Sequence, residues 1–162
     1  MAPQTPYTRD LAGRDPLEAI GDTSARIEAM TATWTPAQFE RTYAPGKWTA
    51  RQILTHLAQS EMMFGARARL ALTTPEYVAQ SMEQDLWMAR EVGLSGRDAA
   101  NAYVTLSRMN AALFAALSDA ELQTPFAHPE YGSLTLSWVV HQTAGHQIHH
   151  LKQLEEINHG GQ

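Results

Sequence analysis

Five of the seven histidines crowd into the last 22 residues, at positions 141, 146, 149, 150 and 159. Neutral imidazole is the commonest protein metal ligand, and it is also the side chain that titrates nearest neutral pH. Such a cluster therefore points to metal binding or to proton transfer. In a helix each residue turns the chain by about 100°, so positions four apart lie about 40° apart on one face. His146 and His150 then project together, one turn apart, and can converge on one cation. His149 swings about 60° away from His146, which suits a rim residue that supports a ligand better than a ligand itself. His141 lies further round, His159 sits beside Gly160 and Gly161 where solvent surrounds it, and His128 reads as a turn residue.

Two imidazoles are too few for an open zinc-type site, which takes three protein ligands and leaves one position for solvent or substrate. His56 is the sole histidine of the first 127 residues, within Ile53-Leu54-Thr55-His56-Leu57-Ala58. It falls at the edge of an apolar arc formed by Ile53, Leu54, Leu57, Phe64 and Ala68, as His146 does on its own helix. His56, His146 and His150 are thus the candidate metal ligands. The competing reading makes each a core histidine whose ring nitrogens are hydrogen-bonded. Glu61 lies inside the same arc, where an unpaired carboxylate is costly. Its expected partners are Arg67, Arg108 or the free N–H of a ligand histidine, and its alternative setting is a solvent gap between helices. Ser60, Glu61, Arg67 and His149 are the candidate catalytic or positioning residues around the ion.

Helices must carry these groups. Residues 1–14 are polar, contain two prolines and read as a loose arm, leaving 15–162 as a single domain. Asp15-Pro16 caps a first helix to about Met30, and Thr35-Pro36 starts a short extra turn. Thr49-Ala50-Arg51-Gln52 has the reciprocal capping-box pattern ahead of a long helix to about Leu72. Thr74-Pro75 opens a helical stretch ending near Gly93, and Ser95-Gly96-Arg97-Asp98 caps another helix to about Leu117. Pro125 to Gly132 reads as a loop, and the last helix runs from about Thr135 to just before Gly160. No run alternates like a strand. The expectation is an all-α four-helix bundle, with a long crossover between the second and third main helices.

Composition narrows the function. A chain of 162 residues with 44% hydrophobic and 18% charged residues suits one globular domain. The net charge of −5, with scattered Lys and Arg, lacks the basic stripe of a nucleic-acid binder. No apolar run approaches the roughly 20 residues needed to cross a bilayer, and the first ten residues lack a signal-peptide core, so a cytoplasmic location is expected. The absence of cysteine excludes thiolate ligands and a cysteine nucleophile.

The segment from Pro45-Gly46-Lys47-Trp48 through His56-Leu57, its continuation Phe64-Gly65-Ala66-Arg67-Ala68, and the run Ala144-Gly145-His146-Gln147-Ile148-His149-His150-Leu151 together resemble the DinB/YfiT-like superfamily. Their order and spacing agree over about residues 16–157. The resemblance implies a four-helix bundle with long crossovers, often a homodimer. It also implies a divalent metal ion, commonly zinc or nickel, held by one histidine of the second helix and two of the last, which here are His56, His146 and His150. Lys152-Gln153 departs from the Gly-Gln that many members carry there. Some members resemble metal-dependent transferases that join a low-molecular-weight thiol to a small electrophile, and this is the leading expectation. Metal-dependent hydrolysis by bound water, or a non-enzymatic stress-related metal-binding or interaction protein, are the alternatives. No nucleic-acid or membrane partner is expected.

Overall fold

The computed structural model describes residues 2–160. Along these the chain forms α1 (Thr8–Leu11), α2 (Pro16–Ala32), α3 (Pro36–Phe39), α4 (Ala50–Thr73), α5 (Gln84–Met88), α6 (Gly96–Ala115), α7 (Asp119–Leu122), β1 (Pro125–His128), β2 (Gly132–Thr135) and α8 (Leu136–Gly160). The bundle consists of α2, α4, α6 and α8.

The helix starts follow local chemistry. Asp15 accepts hydrogen bonds from the N–H groups of Leu17 and Glu18, both at 2.9 Å, with Pro16 in the first turn. Thr49 Oγ1 accepts from Gln52 N at 3.2 Å while Gln52 Oε1 accepts from Thr49 N at 2.9 Å, closing the box ahead of α4. Each such cap stabilises its helix by about 1 kcal/mol.

Both α2 and α4 pack beside α6 and α8, so α2 faces α4 across the bundle diagonal. Arg26 pairs with Glu155, and Trp34 Nε1 donates to Asn158, so α2 and α8 run the same way. Arg97 donates to the carbonyls of Thr31 and Trp34 while Arg108 pairs with Glu28, so α6 runs against α2. The apolar clusters place Ile53 and Leu57 with Ala99 and Tyr103 at one end, and Phe64 and Ala68 with Phe114 at the other. Parallel α4 and α6 therefore need a connection that travels the full bundle length, and residues 74–95 make it.

That crossover differs from the expected helix. Pro75 is followed by Glu76 in the left-handed region, at φ 53°, which stops α4 and redirects the chain. Residues 77–79 then lie as a strand edge: Ala79 N donates to Ala127 O at 2.8 Å, and Ala127 N donates to Tyr77 O at 3.0 Å. The helical remainder is the short α5. The Pro125–Gly132 segment is likewise no simple loop. It contributes to the antiparallel hairpin β1–β2, with Gly132 at φ 74° in the turn, so the fold is mainly rather than wholly helical. Each strand has four residues, too few for an alternation pattern to stand out.

The N-terminal arm is not loose. Leu11 is buried, Trp138 Nε1 donates to Gln4 O at 3.0 Å, and Lys152 pairs with Asp10 at 2.7 Å. The carbonyl and Cβ of Tyr7 rest on Gly145 so closely that a Cβ there would lie 2.6 Å and 2.7 Å from them. A residue without a side chain on α8 thus seats the arm.

The apolar interior is split. One cluster holds Ile20, Phe64, Phe114, Val139 and Ala144, and the other holds Ile27, Leu57, Tyr103, Leu151 and Leu154. Between them lies a buried polar layer that includes Thr23, Gln59, Ser60, Glu61, Ser107, Asn110 and Gln147. The three candidate ligand histidines lie at this level.

Candidate metal centre

His56 sits in the second turn of α4, and His146 and His150 occupy successive turns of the antiparallel neighbour α8. All three are buried, at 5%, 4% and 6% exposure. One nitrogen from each ring lies within 4.8 Å of the others. The Nε2 atoms of His56 and His146 face each other at 3.0 Å, and the ring centroids of the three pairs are 4.6–5.0 Å apart. Two imidazole nitrogens that share one ion at about 2.0–2.1 Å each lie roughly 3–3.5 Å apart, so the facing pair fits a common cation.

The surroundings favour neutral rings. Trp48 lies 5.0 Å from His56 between centroids, while Tyr7 and Phe64 lie 5.2 Å and 5.8 Å from His146. Burial lowers all three pKa values, His56 to about 4 against the pull of Asp85, His150 to about 3, and His146 well below its ordinary value, with repulsion from His56 adding to the shifts of His146 and His150. The neutral form is the one that ligates. His150 Nδ1 donates to Gln153 Oε1 at 2.7 Å, which leaves its Nε2 lone pair free. The Nδ1 atoms of His56 and His146 are buried and have no partner among the described residues. Both rings are thus able to carry their proton there and turn their Nε2 lone pairs to an ion.

The triad stands at the junction of two cavities. One, of about 170 Å³, is lined by His56 and His146 together with Ser60, Phe64, Arg67, His128, Tyr131 and Trp138. The other, of about 310 Å³, is lined by His56 and His150 with Tyr43, Lys47, Trp48 and Gln153. Tyr7 and Gln84 line both and stand between them.

The remaining candidates divide. Ser60 and Arg67 are buried and line the first cavity. His149 lies at the rim, 3.5 Å from Asp10 and 5.2 Å between ring centroids from Tyr7. Glu61 lies in the bundle interior and lines neither cavity. Its partners differ from those expected: Gln147 Nε2 donates to its Oε1 at 2.7 Å, and Asn110 Nδ2 donates to its Oε2 at 2.8 Å. Arg67 instead donates to Gln80 O, and Arg108 reaches Glu28. Burial pushes the Glu61 carboxyl up to about 7 against the pull of these two amides.

Several cavity residues were not picked out from sequence. Tyr7 belongs to the arm. His128, read as a turn residue, is 5% exposed in β1 and accepts from Glu130 N through its Nδ1 at 3.2 Å. Trp138 reaches the cavity from the first turn of α8, and Tyr131 reaches it from the hairpin turn, 5.4 Å from Trp138 between ring centroids. The inward alternation of Phe126 and His128 was the one available signal.

Among known proteins, a relative from Oceanobacillus iheyensis is 29% identical over 127 residues, covering 74% of this chain and 70% of its own. Bacillus subtilis YfiT is 23% identical over 146 residues, covering 88% and 82%. Both are named, provisionally, as metal-dependent hydrolases. The solved structure of YfiT, described as a probable metal-dependent hydrolase with an unusual four-helix bundle topology, superposes with a TM-score of 0.80 at 21% identity, covering 98% of this chain and 90% of that one. The family profile of the DinB superfamily matches residues 19–154. With that match spanning most of the described bundle and the fold agreeing throughout, the chain belongs to the DinB superfamily.

Proposed function

We propose that this protein is a metal-dependent transferase in which His56, His146 and His150 hold one divalent cation, zinc or nickel, and a low-molecular-weight thiol is joined to a small electrophile. The observation that carries the reading is the position of the triad where two cavities meet, since a two-substrate reaction needs two approaches to one centre. Held by three neutral imidazoles, such a cation would keep its full charge and would supply Lewis acidity that lowers the pKa of a thiol or water.

The chain's own residues then do the rest. Trp48, Tyr7 and Phe64 exclude bulk water around the imidazoles. Gln153 holds His150 with its Nε2 turned free. Tyr7 and Gln84 separate the two approaches, so that the thiol enters beside Lys47 and Trp48 and the electrophile beside Arg67 and Ser60. The thiol sulfur bonds to the electrophilic carbon, whose leaving group departs with the electron pair, and the thiol proton passes to solvent. The reading carries with it a cytoplasmic homodimer acting on small molecules.

A second reading, hydrolysis with water in place of the thiol, is favoured by the names of the relatives. The test is to load the protein with zinc or nickel and screen small electrophiles with and without low-molecular-weight thiols. Conjugates that form only with metal and thiol support the transferase. Turnover without any thiol favours the hydrolase, and full activity after chelation ends both.

A further inference from the structure

Arg67 is the one guanidinium in the wall of the first cavity. It is 7% exposed, yet no acidic group lies within ion-pair distance of it among the described residues. Among the described residues its one hydrogen bond runs from Nη2 to the carbonyl oxygen of Gln80 at 2.6 Å, and its buried Nε has no partner. Arginine stays protonated in proteins, so this is a permanent positive charge withdrawn from water with most of its donors unused. Its other neighbours do not pair with it: Tyr77 and Tyr131 are phenols, and Glu130, an exposed residue that also lines this cavity, stands beyond ion-pair distance.

A planar fork of free N–H donors is the recognition element for a planar oxyanion. An arginine held in a water-poor wall is costly unless a ligand supplies the counter-charge. The rest of the wall is mixed: Ser60, Gln84, His128, Glu130 and Gln142 supply polar groups, while Met63, Phe64, Met82 and Trp138 supply an apolar side that suits a short carbon skeleton between the anion and the histidines. The geometry points to Arg67 as the anchor of a carboxylate on the small electrophile, which fixes the substrate class as a short carboxylic acid whose reactive carbon is presented toward His56 and His146. This rests on the transferase reading for the identity of the reacting partner, but not for the anion site itself.

The test uses the zinc-loaded protein and isothermal titration with propionate, propionamide and inorganic phosphate, on wild type, Arg67→Gln and Arg67→Lys. The zinc content and melting temperature of each variant are measured alongside. Propionate is expected to bind wild type at least tenfold more tightly than propionamide. Arg67→Gln is expected to lose that preference while keeping its zinc, and Arg67→Lys to keep part of it. Propionate binding that is unchanged in Arg67→Gln would show the anion going elsewhere and overturns the inference. So does phosphate binding without propionate binding, or no binding of either. Propionate bound through Arg67 in a protein that takes up no zinc leaves the anion site standing and ends the metal reading instead. If Arg67→Gln melts early, the Arg67→Lys comparison decides: a propionate preference reduced from that of wild type supports the need for the fork, and an undiminished one overturns it.

Discussion

The Nε2 atoms of His56 and His146 lie 3.0 Å apart across the α4–α8 contact, although 90 positions separate the residues in sequence. Two buried imidazoles facing each other with unpartnered Nδ1 atoms form a weak hydrogen-bonded pair but a good pair of lone-pair donors. Replacing His56 with Ala should cut affinity for zinc by more than the roughly 10–100-fold that follows loss of an outer partner, and leave the helical content unchanged. Zinc at about 1,000 times its dissociation constant should stabilise wild type by about 4 kcal/mol, and that increment should vanish in the variant. Thermal melting with and without zinc checks both.

Gln153 positions His150 by accepting its Nδ1 hydrogen at 2.7 Å. Gln153→Leu removes the acceptor without touching a candidate ligand. Metal affinity should fall by roughly 10–100-fold, measured by competition with a chromogenic chelator. Unchanged affinity would show that the second-turn contact has no role in orienting the ring.

Acid should unfold the metal-free protein early. The histidines take up protons with ordinary affinity near pH 6.5 when unfolded, but His56 does so at about 4 and His150 at about 3 when folded. As pH falls below about 6.5 the unfolded chain binds protons that the folded one refuses, so stability declines progressively through pH 4. Bound zinc should suppress this decline until it is displaced. Melting curves in chelator between pH 7.5 and 4 measure the effect, and a flat profile would contradict the neutral buried triad.

Glu61 has the opposite dependence. Its folded pKa, about 7, stands above the ordinary value of 4.5, so ionising it inside the bundle costs stability as pH rises from about 4.5 through 7. The loss is on the order of 3 kcal/mol by the usual conversion. Glu61→Gln should abolish this alkaline-side loss, so that its melting temperature relative to wild type climbs between pH 5 and pH 8. A constant difference across that range would show that Glu61 is ionised throughout.

Gly145→Ala places a methyl 2.6 Å from the Tyr7 carbonyl oxygen, which is backbone and cannot rotate away. The arm should lift from α8, exposing both cavities. Limited proteolysis should then cut the first fourteen residues faster, while zinc affinity stays within a few-fold of wild type. Slower cleavage, or unaltered cleavage, would mean that the arm finds another seat.

The residue types and their helical spacing were enough to choose the main helices and the three histidines. Caps act over three or four residues, and the His146/His150 pair is separated by one turn of a single helix, so both depend on local geometry that any reader of the chain can lay out. The arm and the crossover were misread because each is held by partners distant in sequence, and the hairpin because its four-residue strands are too short to show alternation. Tyr7 rests on Gly145, Ala79 bonds to Ala127, and neither segment carries a periodicity of its own.

Glu61 shows the same limit at the level of one side chain. Its arc position on α4 announced burial, but its partners are amides on α6 and α8, chosen by how three helices pack rather than by any spacing along α4. The order of residues thus determined which groups are available for chemistry. Packing alone decided that three imidazoles meet, that two cavities open onto them, and that Arg67 faces one of those cavities without an ion-pair partner among the described residues, because contacts between distant segments are settled by the shape of the whole bundle.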